Sequence, residues 1–281
     1  MAKMKFEINK DKRTTSMLVD WAEVVQLYRR YVGSGYKANA REFNRQIRQW
    51  RDGSNKHFSG NTGDEMLEFL DRGYQFPKEI DADLLPVVSA FKKRQRYTDD
   101  PEGEYSHDLY TMGEPDFFLN TPKREKLIGI RLLIEYSFIH WVPAKVLGEY
   151  AQWVGGMIDV LQTRGYDLEI MVSTKIRSPY EGYRLSDFDI RVSRFGERVM
   201  PHDWSALFAP GGFRHFYFML AHEGKERKKD LIVVEGLGEC IDKQYDINWD
   251  PNARQITIQN HPGAHNFPGD EMTKKFQSWT E

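Results

Sequence analysis

The sequence predicts an α+β or α/β protein, in which a helical N-terminal part precedes a larger α/β part with a mixed sheet. Apolar residues recur at helical spacing over the first 70 residues, and strand-like and helix-like segments alternate from residue 126 onward. Between them lies a proline-interrupted, acidic stretch. We therefore expect a basic helical part over 1–75, a connecting region with little regular structure over 76–121, and an α/β part over 122–281.

Three helices are predicted before residue 75. The first is indicated by apolar side chains at steps of three and four, namely Leu18, Trp21, Val25, Tyr28 and Val32. The second begins at Asn39, whose side chain can accept from the free N–H groups of a first helical turn. Thr62 and Glu65 have the spacing of a capping box, which marks the start of the third helix. Gly73 is expected to end that helix.

The second half of the chain predicts strands and helices in alternation. Residues 126–142 are apolar and β-branched enough for a buried strand, and Pro143 suits the first turn of a helix over Ala144 to Arg164. Gly165 ends that helix. Further strands are expected at 168–176, 183–192, 231–236 and 255–259, with helical stretches around Trp204 and over 213–222. This order is typical of an α/β architecture.

Composition and termini indicate a protein that stays inside the cell. The first 13 residues contain lysines but no apolar core and no small-residue cleavage site, so no secretory signal is predicted. The longest apolar stretch, 127–142, is interrupted by Arg131 and Glu135, so no transmembrane helix is expected. A single cysteine, Cys240, excludes an internal disulfide and cysteine-based metal clusters.

Motif spacing excludes several enzyme classes. The chain has no G-x-x-x-x-G-K-[ST] motif, no G-x-G-x-x-G motif after a strand and no H-E-x-x-H motif. His261 and His265 are four residues apart, but proline and glycine around them prevent a shared helix face. Asp187 and Asp189 lie on one face of a predicted strand, where they could hold a cation or simply face solvent. We expect no catalytic residues, no metal and no cofactor.

Charge is distributed unevenly along the chain. Residues 1–60 carry 13 basic and 6 acidic side chains, whereas residues 61–120 carry 6 basic and 14 acidic ones. The net charge of the whole chain is only −2. A protein that contacts a polyanion can use such a basic block for affinity, and a solvated helix face is the alternative interpretation.

The element order from residue 126 onward resembles that of a von Willebrand factor A domain. A buried strand is followed by an amphipathic helix that ends at Arg164-Gly165-Tyr166, and then by two edge-like strands. That family binds magnesium through D-x-S-x-S at the end of its first strand. The matching stretch here is 135–139, where Glu135 replaces the aspartate, Ser137 is kept and the last hydroxyl is lost. The resemblance implies a protein-interaction module without nucleic-acid binding and with an incomplete metal motif.

Four segments resemble a family of lytic-phage proteins. They are FSGNTGDEMLEFLDRGY (58–74), MGEPDFF (112–118), the helix over 153–166 and GGFRHFYF (211–218). These segments are similar to the single-stranded-DNA-binding RNA polymerase cofactor (Drc type) of the schitoviruses. The resemblance implies a non-enzymatic protein in the host-cell cytoplasm that holds melted promoter DNA for a phage-encoded RNA polymerase. Single-stranded DNA and that polymerase are the implied partners.

Residue types suited to single-strand binding are concentrated in two clusters. Such proteins combine basic side chains that follow the phosphates with aromatic rings on which bases stack. The candidate DNA-binding residues are Arg29, Arg30, Tyr31, Tyr36, Lys37, Arg41, Arg45, Arg48, Lys92, Lys93, Arg94 and Arg96. Packing between helices is the favoured role for Tyr28 and Trp50, whereas Tyr31 fits packing and base stacking equally well.

The sequence therefore predicts a single-stranded-DNA-binding transcription cofactor. A von Willebrand A-like interaction module is the alternative from another functional class. A metal-dependent nuclease is a more distant one, because Asp187 and Asp189 have no convincing set of partner ligands.

Overall fold

The computed structural model of the protein describes residues 5–9, 14–32, 61–74, 97–98, 104–105, 118–119, 128–138, 142–177, 185–197, 205–209, 211–227, 239–240, 244–263 and 265–279. The predicted second helix and the predicted strand at 231–236 lie outside these residues. So does most of the predicted connecting region.

The described strands, in chain order, are β1 (Lys5–Asn9), β2 (Thr14–Asp20), β3 (Tyr97–Thr98), β4 (Glu104–Tyr105), β5 (Phe118–Leu119), β6 (Ile128–Glu135), β7 (Tyr166–Arg177), β8 (Leu185–Ser193), β9 (Glu239–Cys240), β10 (Asp246–Asp250) and β11 (Gln255–Gln259). The described helices are α1 (Trp21–Val32), α2 (Gly63–Arg72), α3 (Ala144–Thr163), α4 (Gly212–Arg227) and α5 (Gly269–Gln277), with a 3-10 helix at Ser205–Phe208.

Most described strands form one mixed sheet in the order β1-β2-β8-β7-β6-β11-β10, and β9 also pairs with β7. Strand β6 lies between β7 and β11 and is parallel to both. Strand β2 is parallel to β8, whereas β8 is antiparallel to β7. The short strands β3, β4 and β5 form a separate three-stranded sheet. The predicted mixed α and β architecture is confirmed.

One face of the large sheet is apolar and covered by helices. A single row of paired, buried aliphatic residues crosses six strands and consists of Val19, Ile190, Val172, Ile134, Ile258 and Ile247. Helices α1, α3, α4 and α5 bury apolar side chains in the same core cluster. Because side chains alternate along a strand, the neighbouring positions place Asp189, Ser173 and Glu135 on the second face.

Local sequence signals account for the ends of two helices. The N–H of Glu65 donates to Thr62 Oγ1 at 3.2 Å, and the N–H of Thr62 donates to Glu65 Oε2 at 2.7 Å, which completes the predicted capping box of α2. Gly73 ends α2 with a φ of 76°. At the start of α4, a Cβ on Gly212 would lie 2.3 Å from the carbonyl oxygen of Ala206, so only glycine allows this approach of the 3-10 helix.

The N-terminal part differs from its prediction. Residues 14–20, including Leu18, form strand β2, and the first helix begins only at Trp21. The burial of Thr15, Met17 and Val19 alternates with less buried neighbours, which is the period of a strand. Since β2 pairs with β8, residues from 1–75 and from 122–281 share one sheet. Strands β1 and β10 and helix α5 were also absent from the prediction.

Candidate nucleic-acid interface

Helix α1 has one buried and one exposed face. Its buried residues follow the steps of three and four that a core-facing helix requires, and they are Trp21, Val24, Leu27, Tyr28, Tyr31 and Val32. Its exposed residues include Arg29 and Arg30 in the last turn. These two arginines therefore reach the surface at the end of α1 from which the chain enters the basic stretch 33–51.

Both arginines contact carboxylates of other helices. Arg29 Nη2 lies 2.5 Å from Asp71 Oδ1 of α2, and the two side chains are 53% and 61% exposed. Arg30 Nη2 lies 3.3 Å from Glu223 Oε1 and 3.4 Å from Glu223 Oε2 of α4, and Arg30 is 53% exposed. The Arg29–Asp71 pair is exposed on both sides and contributes little to stability, because water screens it and holding long side chains costs entropy. Glu223 is buried, but Arg30 is half exposed, so a phosphate can reach either guanidinium.

Tyr31 has a structural role, which corrects its assignment as a base-stacking residue. Its ring is fully buried, and its hydroxyl donates to Glu223 Oε2. A base cannot stack on a ring that has no accessible face. Tyr28 is also fully buried, as the packing interpretation predicts.

Glu223 joins helices α1 and α4. Besides Tyr31 and Arg30, it accepts from Arg227 Nε at 2.8 Å and from Arg227 Nη2 at 2.7 Å. Burial opposes its ionisation, but the hydrogen bonds from Tyr31 and Arg227 and the nearby positive charges outweigh burial and lower the pKa of Glu223. Glu223 is thus an ionised carboxylate that two arginines share.

His215 connects three helical segments inside the core. Its Nδ1 accepts from the Tyr28 hydroxyl at 2.7 Å, and its Nε2 is 2.9 Å from the carbonyl oxygen of Asn61, which precedes α2. A carbonyl only accepts, so Nε2 carries the proton and His215 is the neutral tautomer with a bare Nδ1. Burial lowers the pKa of His215 to about 4.

The second face of the sheet carries a chain of ion pairs. Arg131 Nε lies 2.8 Å from Glu169 Oε2, Arg191 lies 3.8 Å from Glu169 Oε1, and Arg191 Nε lies 2.6 Å from Asp20 Oδ1. Arg194 contacts the other oxygen of Asp20 at 2.6 Å. Acidic and basic groups alternate here, so this surface offers a polyanion no continuous positive track.

The residues of the degenerate metal motif do not fit a magnesium ion. Lys175 Nζ lies 3.5 Å from Glu135 Oε1, so the Lys175 ammonium group already forms an ion pair with that carboxylate. The Ser137 hydroxyl oxygen accepts from the backbone N–H of Lys175 at 3.3 Å, and the Ser137 N–H donates to Asn260. Within the part of the chain that the structure describes, no group of three or more His, Cys, Asp or Glu side chains could hold a metal ion.

Comparison with known families gives one match. A family described as a domain of unknown function (DUF7192) matches residues 7–277. The chain belongs to the DUF7192 family. Neither the curated proteins nor the solved structures include a match to it. The match begins within β1 and ends with the last residue of α5, so it covers the large sheet, except for the first two residues of β1, and the helices that pack on it.

Most predicted DNA-binding residues of the DUF7192 chain lie outside the described residues. These are Tyr36, Lys37, Arg41, Arg45, Arg48, Lys92, Lys93, Arg94 and Arg96. Their assignment stays a prediction from sequence. Among the helices that the structure describes in the DUF7192 chain, none is long and apolar enough to cross a bilayer.

Sequence reasoning missed a basic run at the end of α4. Residues 225–229 read KERKK, and Arg227 is the last residue of α4, next to Arg30 through their shared carboxylate. The predicted helix ended at 222. Acidic residues near this run offset its positive charge in the sequence. Basic residues in a final helical turn were the available signal.

In the DUF7192 chain, Asp189 of β8 lies opposite Ser173 of β7, and Asp187 lies opposite Lys175. The Ser173 hydroxyl donates to Asp187 Oδ1 at 3.3 Å. Burial first, and the charge of Asp187 second, raise the pKa of Asp189 to about 6. The two carboxylates therefore repel each other at neutral pH.

Replacing Asp189 with asparagine is expected to raise the free energy of unfolding by about 1–2 kcal/mol at pH 7.5. The pKa of Asp189 is about 6 in the folded state and 3.8 in the reference state, so its ionisation destabilises the fold as the pH rises through this window. The gain should therefore vanish by pH 4. Urea unfolding at both pH values measures it, with the exposed Asp159→Asn on α3 as control. A destabilised D189N protein at pH 7.5 would contradict the expected cost of ionising Asp189.

Proposed function

We propose that this DUF7192 protein binds single-stranded DNA as a non-enzymatic transcription cofactor and holds melted promoter DNA for a phage-encoded RNA polymerase in the host cytoplasm. The observation that carries the proposal is the exposed pair Arg29 and Arg30 at the end of α1. The sequence after this pair continues into the arginine-rich stretch 33–51, within a 60-residue segment that has seven more basic than acidic side chains.

Electrostatics supports contact with phosphates at this place. Arginine presents a planar fork of N–H groups that can pair with phosphate oxygens and also stack on bases. Asp71 is a weak competitor for Arg29, because both side chains of that pair are more than half exposed. Arg30 is also 53% exposed, although its partner Glu223 is buried. Each phosphate contact also releases counterions from the nucleic acid, which adds affinity at low salt. Tyr36, rather than Tyr31, is the candidate base-stacking ring.

A fluorescence anisotropy titration tests this function with labelled single-stranded DNA, duplex DNA and RNA of equal length, each with and without EDTA. We expect tighter binding to single-stranded than to duplex DNA, tolerance of base sequence and no effect of EDTA. Equal affinity for duplex DNA would contradict the single-strand proposal. Loss of binding in EDTA would show that a metal ion participates.

A triple variant tests whether the arginine-rich stretch contributes to DNA binding. Replacing Arg41, Arg45 and Arg48 with alanine should make the slope of log K against log salt shallower by up to about 2, at about 0.7 per single-strand contact. Thermal melting of the variant controls for folding. An unaltered slope in a normally folded variant would mean that these arginines form only a solvated face.

A second candidate is a von Willebrand A-like protein-interaction module. The observation in its favour is the order β6, α3, β7 and then antiparallel β8, which follows the resemblance from residue 126 onward. The same titration separates the two functions. A module of this kind would bind none of the oligonucleotides, and its partner would instead be recovered by affinity purification from phage-infected cells.

A further inference from the structure

We propose that the C-terminal end of α4 forms the second half of the phosphate-binding surface, with Arg227 and Arg30 as a pair and Glu223 as the carboxylate that competes with phosphate for Arg30. This inference rests on the proposed single-strand binding and extends it to a helix 193 residues away from Arg30 in sequence. Its ligand is the phosphodiester backbone of single-stranded DNA.

Distances show that the two arginines are held unequally. Arg227 makes two short contacts to Glu223 Oε1, at 2.8 and 2.7 Å, and its side chain is 27% exposed. Arg30 makes longer contacts, at 3.3 and 3.4 Å, through Nη2 alone, and is about twice as exposed. Hydrogen bonds weaken with distance, so Arg30 is the guanidinium that an incoming phosphate can detach.

Arg30 can leave its ion pair without stranding Glu223. Two guanidinium groups, those of Arg30 and Arg227, contact this one carboxylate. Glu223 stays compensated when Arg30 leaves, because Arg227 and the Tyr31 hydroxyl still donate to it. Detaching Arg30 therefore does not strand a buried carboxylate, which would otherwise be costly.

Glu223 limits affinity in this arrangement. The carboxylate holds Arg30 in the free protein and must be outcompeted before Arg30 contacts DNA. Glutamine at this position would still offer its one amide oxygen to Arg227, and its NH2 group could donate to the Tyr31 hydroxyl oxygen. Without a charge it would attract Arg30 much less. Neutralising a buried carboxylate that accepts from three side chains ordinarily harms a protein, whereas here it should strengthen DNA binding.

The test is anisotropy with a labelled single-stranded oligonucleotide in 0.1 M salt, with Glu223→Gln, Arg227→Gln and Lys274→Gln compared with the wild type. We expect E223Q to bind about fivefold more tightly, with a salt slope steeper by about 0.7. R227Q should bind at least about fivefold more weakly, because it loses its own contact and leaves Arg30 as the only guanidinium on Glu223. Lys274 is exposed on α5, which contacts β10 at the opposite edge of the sheet from β1, so K274Q should bind like the wild type.

Each outcome supports or overturns the inference. Thermal melting first confirms that the variants fold, and if E223Q does not, R227Q alone decides. Normal binding by folded R227Q, weaker binding by folded E223Q, or an equal loss in R227Q and K274Q would each overturn the α4 site while leaving single-strand binding intact. A wild-type protein that binds no single strand would overturn both proposals.

Discussion

Replacing Phe216 with alanine should lower the free energy of unfolding by about 3–5 kcal/mol. The ring is fully buried on α4, and its centroid lies 5.1 Å from those of both Trp21 and Tyr28 on α1, in edge-to-face contacts. Truncation would remove these contacts and leave a cavity where α1 packs on α4. The loss should be measured by urea unfolding at pH 7.5 and 25 °C.

A phenylalanine on the second face of the sheet provides the matched control. Phe195 is 47% exposed, and its ring lies over Gly129. Phe195→Ala removes the same atoms but less buried area, so it should cost about 1 kcal/mol or less. Similar losses for the two variants would show that Phe216 does not occupy the core position described above.

Acidification should destabilise the protein through His215 by up to about 3 kcal/mol. Its pKa is about 4 in the folded state and 6.5 in the reference state, so the unfolded chain binds more protons between these values. The stabilisation that neutral His215 contributes is fully present above pH 6.5 and decreases as the pH falls toward 4. About 1.4 kcal/mol should be lost by pH 5.5. The groups around His215 are Tyr28 and the Asn61 carbonyl, with the charge of Glu65 favouring protonation.

Comparison with His215→Gln isolates this contribution, since Asp189, Glu223 and the other carboxyl groups titrate in both proteins. The variant should be less stable at pH 7.5, and its free energy of unfolding should change less between pH 7.5 and pH 4.5 than that of the wild type. Urea unfolding at pH 7.5, 5.5 and 4.5 measures both curves. Parallel curves would mean that the pKa of His215 is the same in the folded and unfolded states.

Sequence patterns predicted those elements whose determinants are local. The capping box of α2 needs only Thr62 and Glu65, and α3 follows Pro143 and runs to Thr163, one residue short of its predicted end. The spacing of Val24, Leu27, Tyr28 and Tyr31 also indicates that Tyr31 belongs to the buried face of α1. Its aromatic ring beside Arg29 and Arg30 made it a base-stacking candidate, although a tyrosine can equally bury its ring and satisfy the hydroxyl inside.

Features that depend on distant pairing could not be read from the sequence. Strand β2 directly precedes α1, so its apolar residue Leu18 also fits the helical spacing of α1. Only the pairing of β2 with β8 shows that these residues form a strand. Glu223 lies 192 residues from Tyr31, and nothing local to either indicates their contact. The basic end of α4 belongs to the candidate site for the same reason, because packing against α1 brings it there.

The strand order also constrains how the protein can be made. Strand β2 leaves the ribosome early, but its partner β8 follows much later, as shown by Asp20 and Arg191, which pair across 171 residues. The central strand β6 gains its second neighbour only when β11, at 255–259, has been synthesised. Such non-local contacts make folding slow, because long loops must close before pairing stabilises them. We therefore expect the nascent chain to complete its sheet only after β11 has been synthesised, and fragments that stop before β8 to need chaperones.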